Sequence, residues 1–120
     1  YYKKILAKLN KVDPTKFDIA LVSNDVILET GTSNLVFAKN EKLFSPKKNC
    51  YIGNTIKFIS KKIKINFKDI NIKEMNNYDE IILIGSGKGV TSVLKIKELK
   101  WKRRKNVCYN KLNKIYKSIS

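Results

Sequence analysis

The period of the apolar positions changes several times along the chain, and each change marks an element. "FDIALVS" (17–23) and "NLVFAK" (34–39) alternate or run apolar in the manner of buried strands. With "VILE" between them and "KNEK" as a turn after them, they predict a meander of short strands. Residues 1–11 place Ile5, Leu6 and Leu9 at helical spacing and predict the tail of a helix, which Asp13-Pro14 ends. "GNTIKFISKKI" (53–63) sets Ile56, Phe58, Ile59 and Ile63 on one helical face, with Gly53 and Asn54 at the mouth.

"KINFKDINI" (64–72) has period two and predicts one strand, and "KEMNNYDE" predicts a short helical turn. "EIILIGSGKGV" is a buried strand running into a glycine-rich turn at Gly85, Ser86 and Gly87, and "TSVLKIKEL" is a further strand. Residues 106–118, with Val107, Leu112, Ile115 and Tyr116, close the chain as a helix. Strands, helix, strands, helix in one unit spanning 1–120 predict a mixed α/β domain.

Composition adjusts this picture in two places. An apolar fraction of 42% in 120 residues supports one folded core and argues against disorder. The net charge of +16 would point to nucleic acid or an anionic membrane surface. All but two of the 26 cations are lysine, however, and asparagine and isoleucine are also abundant, a bias expected of AT-rich codons. Arginine, the usual reader of nucleic-acid grooves, stands only at Arg103 and Arg104. A solvated lysine-rich surface is therefore preferred, with a lysine-rich nucleic-acid-binding module kept as the alternative from a different class.

Cys50 and Cys108 form no CxxC and the chain has no histidine, so neither a zinc site nor a Cys/His catalytic set is expected, and both thiols are expected reduced and partly buried. No run approaches the roughly 18 apolar residues of a membrane span, "YYKKILAKLN" is too poor in apolar residues for a signal peptide, and no N-x-S/T sequon occurs. A soluble, cytoplasmic protein follows as the expectation.

Two loops could take an anion. At "YIGNT" Gly53 allows close backbone approach, and the N–H groups of Asn54 and Thr55 open a helix whose dipole favours phosphate. At "GSGKG" Ser86 offers a hydroxyl among glycines after a strand. Each alone is also an ordinary cap or turn, and neither is a dinucleotide fingerprint, because "TSVLKI" after the glycines is strand-like.

Taken together, "DVILETGTSNLVFAKNEKLFSP" (25–46), "YIGNTIKFI" (51–59) and "YDEIILIGSGKGVTSV" (78–93) resemble the fold-type IV (class IV) pyridoxal-phosphate enzymes. That family includes branched-chain and D-amino-acid aminotransferases and aminodeoxychorismate lyases. The resemblance implies the large C-terminal lobe of the D-amino-acid aminotransferase-like fold, a barrel-like sheet with flanking helices, and a homodimer acting on a small-molecule substrate. It implies that Glu29 pairs with the pyridine nitrogen of pyridoxal 5′-phosphate, keeping it protonated so that the ring accepts electrons. Read without the family, Glu29 is a strand-edge acid facing solvent. Asn54 and Thr55 match the groups that bind the cofactor phosphate, and Ser86 the residue that contacts it from the other side. Thr32 matches a small residue beside the ring and Tyr51 one that packs on its face, while Gly87 and Lys88 fall where the substrate carboxylate approaches. No metal is implied.

Three positions depart from the family pattern. Ile56 stands where members generally carry an arginine, Asp25 replaces a turn glycine, and "KRRKNVC" lacks the usual Gly-Pro. Aligned without gaps, "YYKKILAK" matches the helix after the catalytic K-x-x-N, so the Schiff-base lysine is expected about four positions ahead of Tyr1. Lys3, Lys4 and Lys8 are read as surface residues, and Tyr1 falls near a position that can bond the cofactor's phenolic oxygen. The smaller N-terminal lobe is likewise expected outside the chain, and the 120 residues alone are expected to be inactive. "GSGKGV" and Ile56 lean the reaction toward the lyase, which splits 4-amino-4-deoxychorismate into 4-aminobenzoate and pyruvate in folate synthesis. The alternative is a branched-chain or D-amino-acid aminotransferase.

Overall fold

A computed structural model describes residues 5–11, 17–23, 25–30, 33–47, 53–85 and 89–119, with the backbone alone described at 5–11, 17–23, 28–30, 98 and 119. In chain order the strands are β1 (Ile5–Lys11), β2 (Phe17–Ser23), β3 (Val26–Thr30), β4 (Asn34–Lys39) and β5 (Lys42–Ser45), followed by helix α1 (Asn54–Ser60). Then come β6 (Ile65–Phe67), β7 (Ile70–Asn71), a 3-10 turn at Ile72–Asn77, β8 (Glu80–Gly85), β9 (Gly89–Ile96), a second 3-10 turn at Lys97–Leu99, β10 (Trp101–Lys102) and helix α2 (Val107–Ile119). They form one sheet in the order β6-β5-β4-β8-β9-β1-β2-β3-β7, with β10 pairing β9 beside this path. Every described ladder is antiparallel except β5 with β6.

The two-residue alternation of a strand explains where the core lies. Leu35 and Phe37 of β4 and Ile81 and Leu83 of β8 face one way, into a cluster with Ile27, Ile70, Met75, Tyr78, Val93, Ile96 and Trp101. Val36 and Ala38 with Ile82 and Ile84 face the other way, beneath Ile56 and Ile59 of α1 and Cys108 and Leu112 of α2. The central strands are buried on both faces, which is why they read as continuous apolar runs. Ile27 lies near one end of the sheet and Phe37 toward the other, yet they share one cluster, so the sheet curls around it.

The chain passes from β6 at one edge of the sheet to β7 at the other across Lys68 and Asp69 alone. Three residue steps of about 3.5 Å keep those edges within about 11 Å there. No ladder joins β6 to β7 among the described residues, so the sheet curls in the expected barrel-like sense without closing.

Two local expectations are corrected. Residues 5–11 are a strand and not the tail of a helix: β1 pairs with β2 (Ile5↔Val22 through Asn10↔Phe17) and with β9 (Leu9↔Ile96). Ile5, Ala7 and Leu9 fit a two-residue period just as Ile5, Leu6 and Leu9 fit a helical one, and cross-strand pairing decides between them. "KINFKDINI" is likewise two strands on opposite edges and not one.

Other expectations hold. "KNEK" is a two-residue hairpin in which Asn40 and Glu41 both have positive φ (51° and 62°), as a type I′ turn needs. α1, the turn at 72–77 and α2 stand where predicted. On α1 the buried face is Ile56 and Ile59; Phe58, expected on that face, is instead exposed. Asp25, in place of the expected glycine, adopts φ 63°, a left-handed conformation that aspartate tolerates better than most residues.

Candidate active site

Asn34 begins β4 and pairs with Ile84, next to the end of β8. Its side chain is 7% exposed, and its Oδ1 accepts a 3.0 Å hydrogen bond from the backbone N–H of Gly53, the residue that opens α1. Gly85 pairs with Gly89 across the turn after β8. The residues flanking three separate sequence features, the β3–β4 junction, the α1 mouth and the β8–β9 turn, therefore meet at one end of β4 and β8. β3, which carries Glu29 opposite Leu21, leads into the same junction.

Asn54 is exposed and Thr55 half-buried at the start of α1, and no acidic residue lies in its first turn. The first N–H groups of a helix have no intrahelical acceptor. The only described bond closing this turn runs from Lys57 N–H to the Gly53 carbonyl, 3.2 Å. At the other side of the site Gly89 has φ +72°, and an added Cβ there would lie 2.9 Å from Cε2 of Tyr116 on α2. Of the expected site residues, Thr32, Tyr51, Ser86, Gly87 and Lys88 lie outside the described residues, as does Tyr1. Glu29 is placed through its backbone, on β3.

The family model for amino-transferase class IV matches residues 1–96. The chain belongs to the class IV aminotransferases. These are enzymes that use pyridoxal phosphate. The fold is similar to that of a candidate 4-amino-4-deoxychorismate lyase of Legionella pneumophila (TM-score 0.74, 18% identity, 86% of this chain and 41% of that one). It is similar to a branched-chain aminotransferase of Thermoproteus uzoniensis (0.71, 18%, 88% and 38%). It is also similar to an aminotransferase of Brucella abortus whose structure holds the cofactor (0.66, 19%, 79% and 36%). No curated protein matches the chain. The chain spans about two fifths of the length of these solved structures, and at such identities the likeness shows the fold, which lyases and transaminases of the family share.

The described residues suit the class IV cofactor's phosphate. The α1 mouth supplies backbone N–H groups, the Asn54 amide and the Thr55 hydroxyl, with no carboxylate in its first turn. Ile56, in place of the family's arginine, is 1% exposed and packed in the apolar cluster under the helices, so this position holds no cation at the site.

Two residues inside the segments that carry the resemblance have work that the sequence did not assign. Asn34 ties the helix mouth to the sheet. Glu80, 1% exposed at the start of β8, accepts 2.9 Å bonds on its two oxygens from the backbone N–H groups of Cys108 and Tyr109, fixing the start of α2. The Asp79-Glu80 pair leading an apolar run was the available signal. Both arginines are engaged within the fold. Arg104 bonds Asp79 Oδ1 and the carbonyls of Asn76 and Tyr78 (3.2, 2.6 and 2.9 Å), and Arg103 bonds Ser92 Oγ at 3.0 Å. No helix among the described residues is long and apolar enough to cross a membrane.

Proposed function

We propose that the parent of this chain is a pyridoxal-phosphate-dependent lyase that divides 4-amino-4-deoxychorismate into 4-aminobenzoate and pyruvate. The observation that carries the reading is the meeting of the β3–β4 junction, the α1 mouth and the β8–β9 turn in a class IV chain, pinned by the Asn34–Gly53 bond. Bound there, the cofactor would supply an electron sink for the carbon attached to the substrate amine.

The chain's own residues then divide the remaining work. Glu29, ionised, holds the proton on the pyridine nitrogen. Asn54 and Thr55 donate to the phosphate, and Ser86 binds it from the opposite side. Thr32 leaves room for the ring and Tyr51 covers its face. Gly87 and Lys88 receive the substrate carboxylate, Lys88 by its charge. A cytoplasmic homodimer in folate synthesis completes the reading.

The buried Ile56 favours the lyase over a branched-chain or D-amino-acid aminotransferase, because a transaminase of this family generally keeps the arginine there. The test is an assay of the full-length protein with pyridoxal phosphate and aminodeoxychorismate in the absence of any amino acceptor. Stoichiometric pyruvate and 4-aminobenzoate support the lyase, whereas turnover that requires a 2-oxo acid supports the aminotransferase. Absence of a borohydride-reducible lysine adduct with the cofactor overturns both. The 120-residue chain alone, given the cofactor, is expected to show no turnover.

A further inference from the structure

We infer that Asn34 is the positioning residue of the cofactor-phosphate site, acting through Gly53; the inference rests on the reading of this site as one for pyridoxal phosphate. Asn34 is a buried residue, and its Oδ1 accepts a bond from a backbone N–H nineteen residues away in sequence, at 3.0 Å. That N–H belongs to the residue whose carbonyl accepts the first bond of α1, from Lys57, so pinning Gly53 sets where the following N–H groups of Asn54 and Thr55 lie. The backbone of Asn34 is fixed in turn by its pairing with Ile84 at the end of β8. One side chain thus joins the helix mouth to the strand pair that carries the other two segments of the site.

A buried amide in this role differs from a general packing residue in what its loss does. Truncation leaves the apolar clusters untouched, since Asn34 belongs to neither. It frees the helix mouth, so the groups that meet the phosphate shift while those that meet the ring do not.

The experiment compares binding of pyridoxal phosphate and of pyridoxal, which lacks the phosphate, to the full-length protein by equilibrium dialysis, with circular dichroism confirming that each variant is folded. Asn34→Ala removes the acceptor. Gly53→Pro removes the donor, and the φ of −70° at Gly53 is one that proline adopts without strain. Each variant is expected to lose about ten-fold of the preference for the phosphorylated form while pyridoxal affinity stays within about two-fold. The double variant is expected to lose no more than Asn34→Ala alone, because Gly53→Pro then deletes a bond that is already gone. A wild-type preference for the phosphorylated form that survives in a folded Asn34→Ala or Gly53→Pro protein overturns the inference and leaves the cofactor reading standing. A wild-type protein with no such preference overturns the cofactor reading and the inference with it.

Discussion

Replacing Glu80 with alanine tests how α2 is held on the sheet. The Glu80 carboxylate is 1% exposed, and each oxygen accepts one backbone N–H at 2.9 Å, from Cys108 and Tyr109 in the first turn of α2. Alanine leaves two N–H groups in a buried setting without their acceptor, and each such group costs about 1–3 kcal/mol. It also removes a negative charge from the positive end of a helix, about 0.3–1 kcal/mol. Partial hydration of the space left behind offsets some of this, so the expected loss is about 3 kcal/mol. A domain of this size is stable by only about 5–15 kcal/mol. With an unfolding entropy of about 0.25 kcal/mol/K for a chain of this length, the loss corresponds to roughly 12 °C in Tm.

Urea denaturation of the 120-residue chain gives the loss directly, and hydrogen exchange at the Cys108 and Tyr109 amides locates it. Glu80→Gln should cost nearly as much, because its NH2 group turns a donor toward one of the two N–H groups. A change below about 0.5 kcal/mol in Glu80→Ala, with the two amides still protected, would refute the reasoning.

Gly89→Ala should destabilise by about 1–3 kcal/mol in the same urea experiment, since it places Cβ 2.9 Å from Tyr116 at φ +72°. Adding Tyr116→Ala relieves the clash and not the backbone strain, so the cost of Gly89→Ala measured in that background should fall without vanishing; an unchanged cost removes Tyr116 from the account. Burial, and after it the Glu80 carboxylate, pushes the Cys108 thiol from 9.0 up to about 12. The folded state then holds this proton more tightly than the unfolded chain, so the contribution is complete below pH 9 and is lost as pH rises from 9 toward 12. Cys108→Ala should flatten that part of the stability–pH curve, and iodoacetamide should label wild-type Cys108 only as the chain unfolds; rapid labelling of Cys108 itself in the folded protein at pH 8, located by peptide mapping, would contradict this.

Much of the fold was legible because local patterning carried it. "NLVFAK" and "EIILIG" are buried on both faces, and a strand buried on both faces must be apolar throughout. "KNEK" and the two helices announced themselves through turn chemistry and helical spacing. The resemblance carried by residues 25–46, 51–59 and 78–93 pointed to the family, and the class IV match over 1–96 agrees. Residues 5–11 were not legible in this way. Ile5, Leu6 and Leu9 fit a helical face while Ile5, Ala7 and Leu9 fit a strand face, and only pairing with β2 and β9, chain segments far apart in sequence, makes the segment a strand.

What the sequence by itself determined is the inventory: which segments are apolar, where the turns fall, and which residue types are at hand for an anion and for a pyridine nitrogen. Tertiary structure decided the assignments. It divided 64–72 between two sheet edges, because a curled sheet brings those edges within reach of a two-residue step. It turned Ile56 into the core and gave Asn34 and Glu80 their partners at Gly53 and at Cys108 and Tyr109. A hydrogen bond of about 3 Å between residues 19, 28 or 29 positions apart leaves no periodicity in the chain, and so it becomes visible only when the strands are in register.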